Sequence, residues 1–192
     1  MASGVSKVSI ANGAIQRLGS PGRIEALDQN SPNARSISAA YNTARNALLR
    51  TYDWSFAIKR EAIPAHATGP VWGSWNRYAL PGDFIRLVRD DESGIRVDYR
   101  IEGQFILSRM SAPLPVRYIA NIDDASYFDS LFTEALILKI AVDTCEEITG
   151  STAKRDSLFR DLKDTIAQAR LSGAIEKGEV TFPEDEWVSA RL

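Results

Sequence analysis

Apolar residues recur at three- and four-residue spacing toward both ends of the chain, and at two-residue spacing between those stretches. Within residues 4–18, Val8, Ala11, Ile15 and Leu18 share one face, which predicts an amphipathic helix. Ser3 or Ser6 suits its N-cap. "GSPG" at 19–22 ends it, because glycine accepts a left-handed C′ position and proline cannot continue a helix. A second helix starts at Ser31 as N-cap with Pro32 at N1, where a missing N–H costs nothing. Ile37, Tyr41, Ala44 and Leu48 form its inner stripe, Arg35, Arg45 and Arg50 lie largely off it, and it ends near Tyr52.

The period changes at Trp54. In "IRVDYRI", Ile95, Val97, Tyr99 and Ile101 alternate with Arg96, Asp98 and Arg100, which predicts a half-buried antiparallel strand. "EG" at 102–103 is a turn leading into "QFILS". Residues 83–90 and 115–120 read as further strands, with Pro113 and Pro115 keeping the start of the latter off the sheet centre. "PAHATGPVWGSWN" reads as an irregular, exposed loop. At the junction, alternation puts Trp54, Phe56 and Ile58 on one side of an emerging strand, where they can plug the end of the helical part. Lys59 and Arg60 then reach solvent.

Helical spacing returns between residues 124 and 148. Phe128, Leu131, Ala135, Leu138, Val142 and Cys145 form one row, and Phe132, Leu136 and Ile140 form a second beside it. So wide an apolar face predicts a central helix. "TGST" at 149–152 is a tight break into a fourth helix, to about residue 174, with Phe159, Leu162, Ile166 and Ala169 inward. The short connection makes the two antiparallel neighbours. The predicted fold is α+β and mainly helical. A four-helix bundle from residues 1–53 and 122–175 is interrupted by an antiparallel β-rich insertion at 54–121. An extended C-terminal tail, 176–192, follows.

Composition narrows the chemistry. The 192 residues are 44% hydrophobic and 25% charged, enough for a core without metal or disulfide staples. A net charge of −2 gives no global basic field for nucleic acid or an anionic membrane. The opening residues lack the basic and apolar blocks of a secretory leader, and "EALILKIAVDTC" falls short of a bilayer span. The one cysteine, Cys145, cannot form an internal disulfide, which fits a reducing compartment, and its place on an inner stripe predicts a buried small hydrophobe.

The one histidine, His66, and Cys145 do not lie in metal-ligand spacing, and no nucleophile elbow or phosphate loop is present. Asp90 with Asp91, Asp123 with Asp124 and Glu146 with Glu147 are adjacent carboxylates. Adjacent side chains diverge, so adjacency does not make a catalytic pair. Arg86, Arg89, Arg96, Arg100, Arg109 and Arg117 decorate the β segment, a pattern that suits a solvated face or an acidic protein partner. Trp72 and Trp75 lie in the exposed loop, and Phe182 and Trp187 in the polar tail. Tryptophan is a frequent interface anchor.

"LLRTYDWSFAIKREAIP", an irregular loop, then "WNRYALPGDFIRLVR" resembles the tail tubular protein A family of short-tailed phages, the head-to-tail adaptor or connector proteins. Trp54, Phe56, Ala57, Tyr78, Leu80, Pro81, Asp83, Phe84 and Arg86 carry the likeness. "VRYIANIDDASYFDSLFTEALILKIAVDTCEEITGS" is similar to that family's strand, acidic turn, Phe-x-x-x-Phe helix and Thr-Gly-Ser break. The likeness spans residues 11–176 and rests on the order and spacing of packing residues.

The resemblance implies a structural virion protein with no enzymatic activity and no cofactor. Such a subunit is made in the host bacterial cytoplasm and sits in the phage neck as one of a cyclic, typically twelvefold, ring. The ring joins the portal protein to the tail nozzle protein. Genomic DNA passes through its channel without specific binding, and no membrane is involved. Phe182, Trp187 and Val188 become portal-interface candidates. Trp72, Trp75, Arg96 and Arg100 become nozzle- or neighbour-interface candidates, and Trp54, Phe56, Pro81 and Phe84 a structural hinge. The competing readings are a virion-associated cell-wall glycosidase and a DNA-end-binding packaging factor.

Overall fold

The structure, a computed structural model, describes residues 4–88 and 98–176. It is α+β, with four helices and two small antiparallel sheets. The helices are α1 (Lys7–Leu18), α2 (Pro32–Thr51), α3 (Ser130–Thr149) and α4 (Thr152–Glu176). Among the described residues, six strands lie between α2 and α3: β1 (Ile58–Ile63), β2 (Asn76–Ala79), β3 (Phe84–Leu87), β4 (Tyr99–Glu102), β5 (Phe105–Ser108) and β6 (Leu114–Ala120).

Local chemistry sets the helix ends. Ser6 accepts from the Ser9 amide and Ser9 returns the bond to the Ser6 amide, a reciprocal cap that starts α1 at Lys7 and not at residue 4. Gly19 closes α1 in the left-handed conformation, with φ of 65°. Ser31 caps α2 with Pro32 at its first position. Asp129 accepts from the amides of Leu131 and Phe132, so α3 starts at Ser130. The residues predicted as its first turn instead form a short 3-10 turn, Ala125–Tyr127, capped by Asp124. Gly150 ends α3 in the left-handed conformation, and Ser151 caps α4.

α3 packs against α1, α2 and α4. Its two predicted apolar rows explain this: Phe132, Ala135, Leu136, Leu138, Ile140 and Ala141 are at most 1% exposed. Around them gather Ile10, Ala14 and Ile15 of α1, Ile37, Leu48 and Leu49 of α2, and Leu158, Leu162 and Ala169 of α4. Two inward assignments change. Leu158 takes the inner position of α4 and Phe159 stands 45% exposed, because one residue further along a helix is turned about 100°. Arg45 is 4% exposed on α2, held by Asp123, Asn121 and Asn46.

The sheets run β1-β6-β3 and β2-β5-β4. β6 is the centre of the first, and among the described residues Pro115 pairs with Ala62 of β1 alone. Among those residues its missing N–H leaves no second neighbour unmet. Ile63 and Leu114 of the first sheet and Tyr78 and Ile106 of the second form a small core joining the two. β2 begins at Asn76, where the predicted irregular loop ends. β4 departs from the half-buried expectation, with Tyr99 38% and Ile101 46% exposed and Arg100 exposed on the other face. The predicted Glu102–Gly103 turn joins β4 to β5, with Gly103 at φ of 60°. The junction differs as well: Ser55–Ala57 is a 3-10 turn, and the strand begins only at Ile58.

Candidate interaction surface

Two places collect side chains with functional potential: the seam between helices and sheets, and the outer face of the second sheet.

At the seam, Trp54 is 3% exposed and its indole Nε1 donates to the Leu48 carbonyl at 2.9 Å. That bond folds the chain back over the last turn of α2. Trp54 and Phe56 both meet Phe132 with ring centroids 5.0 Å apart, and Phe56 also packs on Phe128. These rings belong to the main core. Beside them an open cavity of about 450 Å³ is lined by Tyr52, Phe56, Arg117, Ser172 and Gly173 among others. Arg117 Nε is buried without a hydrogen-bond partner among the described residues. Pro81 and Phe84 form a separate turn, in which the Phe84 amide donates to the Pro81 carbonyl at 3.1 Å. The ring contact of Phe84 is to Tyr118, 5.9 Å away, and not to Trp54 or Phe56. The four predicted hinge residues therefore occupy two places.

Next to that turn the Tyr118 hydroxyl lies 2.9 Å from an Asp83 oxygen and 3.2 Å from a Glu61 oxygen. Two carboxylates distant in sequence are thus bridged by one phenol. Burial pushes the Tyr118 phenol up, and both carboxylates add to the shift. Burial also opposes ionisation of Asp83. Hydrogen bonds from Lys59 and Tyr118 and the Lys59 charge outweigh it and hold Asp83 below its ordinary value. An acid catalyst for glycoside cleavage needs its carboxyl shifted the other way. Of the adjacent carboxylates, Asp123 pairs with Lys7 and Arg45, Asp124 caps a turn, and Glu146 and Glu147 bond Arg155 and Ser36.

The outer face of the second sheet follows from its register. Arg77, Leu107 and Arg100 stand opposite one another across β2, β5 and β4. Phe105 lies two residues away on β5, and Trp75 and Arg109, just outside the ends of β2 and β5, keep the same two-residue spacing and continue that face. The Arg77 guanidinium sits 3.5 Å from the centroid of Phe105. Arg100 and Arg109 approach the Trp75 ring at 5.0 and 5.1 Å. His66 meets Phe105 edge-on at 5.2 Å. Leu107 is 7% exposed beneath this layer. No ion pair joins Arg77, Arg100 or Arg109 to a carboxylate among the described residues, although Asp98 and Glu102 share the face. Trp72, 84% exposed beside Val71 at 94%, stands in the adjoining loop.

Of the interface candidates, the structure brings Trp75 and Arg100 together and leaves Trp72 exposed nearby. Arg96, Phe182, Trp187 and Val188 lie outside the described residues. Sequence reasoning missed Arg77 and Phe105. The usable signal was a two-residue period, Trp75-x-Arg77 facing Phe105-x-Leu107-x-Arg109. Among the described residues, no group of three or more His, Cys, Asp or Glu could hold a metal ion, and no helix is long and apolar enough to cross a membrane. No family model and no curated protein matches the chain.

Proposed function

We propose that the chain is a subunit of a phage head-to-tail adaptor ring, working by protein–protein assembly and without catalysis. The observation that carries the reading is the way its two ends meet. Helices before and after a β insertion build one core around α3, and Trp54 and Phe56 seal it where the insertion leaves. A four-helix bundle with a projecting β segment is the arrangement that the adaptor resemblance implies. Helix sides would then meet neighbouring subunits in a closed cyclic contact, since a heterologous interface that closes avoids open polymers. The Trp72, Trp75 and Arg100 surface would face the nozzle or the next subunit. Phe182, Trp187 and Val188 would reach the portal, and DNA would pass through the channel.

Deleting residues 179–192 tests the portal assignment. The truncated chain should stay folded and lose binding to purified portal. Portal binding at full strength would remove the tail from that role.

A further inference from the structure

The outer face of the second sheet also offers a docking surface that nothing above assigns to a particular segment. Three guanidiniums lie on or beside two aromatic rings, with no carboxylate paired to any of them among the described residues. A guanidinium stacked on a ring keeps its N–H edge free for a carboxylate, and stacking fixes its orientation in advance. Arg77 and Arg100 flank Leu107 across two strand spacings, which sets them about 10 Å apart. Such a surface fits an extended acidic segment carrying large apolar side chains.

The chain contains one. Residues 182–187 read Phe-Pro-Glu-Asp-Glu-Trp, three consecutive carboxylates between two aromatics. In an extended chain Glu184 and Glu186 project to the same side, about 7 Å apart. The point of departure is also favourable. Ala169, Ser172 and Gly173 of α4 line the seam cavity with Ile58 and Arg117, so α4 ends beside the β layers. From Glu176 to Phe182 is six residues, which extended can span about 20 Å, against about 10 Å between packed sheets.

The geometry points to intramolecular docking of residues 182–187 on the Trp75, Arg77, Phe105, Arg100 and Arg109 face of their own chain. Tethering favours this over a second copy, because a short linker supplies an effective concentration in the millimolar range. The contact does not rest on the adaptor reading, and a portal that binds the same segment, or a nozzle or neighbour that binds the same face, would have to displace it.

A photoreactive benzophenone side chain placed at position 187 of the full-length protein tests this. Irradiation of the monomer fraction followed by peptide mass spectrometry should place crosslinks in residues 72–79 or 98–109. Arg77→Glu with Arg100→Glu should lower that yield more than about ten-fold, since opposed like charges cost several kcal/mol. Adding Glu184→Arg and Glu186→Arg should restore it, which a misfolded variant could not do. Crosslinks elsewhere, crosslinks formed only between copies, or a yield indifferent to the reversal would overturn the proposal. So would a labelled oligo-dT strand that binds the same arginines while no crosslink forms there.

Discussion

Trp54 shows how one residue can join two kinds of structure. Its ring is buried among Phe56, Phe132 and Tyr52, and its one polar atom is satisfied by the Leu48 carbonyl. A buried indole without that bond would carry an unmet donor. Trp54→Ala should destabilise the fold by about 3–5 kcal/mol in denaturant unfolding, through lost contacts and the space left behind. A change near zero would mean that the ring is not core. That Trp54 faces inward was readable from its position between apolar periods. The 3-10 turn that puts it there was not. Two-residue alternation describes a strand face, and here a side-chain bond to the preceding helix overrides it. Phe159 teaches a similar lesson. Leu158 and Phe159 are both apolar, and choosing between them requires the helix's rotation about its neighbour, which spacing within one helix does not supply.

At the scale of elements, Asp123 acts as a clasp. It receives Lys7 of α1 at 2.6 Å and the buried guanidinium of Arg45 of α2, and it sits in the link between β6 and α3. The Lys7 hydrogen bond leads in holding Asp123 below its ordinary value, with Arg45 adding to it against the cost of burial. Nearby Tyr41 is pushed up to about 12 by burial; Arg45 opposes this and Asp123 adds to it. A carboxylate with a lowered folded-state pKa contributes stability above its unfolded value. That contribution is lost as pH falls through the folded value, so this clasp should loosen below about pH 4. Asp123→Asn should cost about 1–2 kcal/mol at pH 7, the carboxylate being largely exposed but its partner Arg45 buried. It should also show a smaller drop in stability between pH 5 and pH 3 than the parent. An equal drop in both proteins would place the acid sensitivity elsewhere. Nothing in the sequence hinted at this clasp. Arg45 lies off the apolar stripe, and its carboxylate is 78 residues away. The helix stops were legible because glycine, proline and capping side chains act locally. The face of the second sheet was legible only in part, since its Arg–aromatic stacks depend on strand register.

For the whole molecule, the arrangement of two layers matters more than any single group. One core unites helices from both ends of the chain, and a smaller one joins the two sheets. Phe159 and Leu171 leave apolar surface along α4, as Trp72 does in the β segment. Interfaces of assembling subunits draw on such anchors, though scattered apolar groups also occur on monomers. In the adaptor proposal these surfaces close into a ring beneath a portal. Electron microscopy of the full-length protein mixed with purified portal puts this to the test. A closed ring of this chain should stack coaxially on the portal, with the β segment on the side away from the portal. Portal particles that remain bare at saturating protein would contradict it.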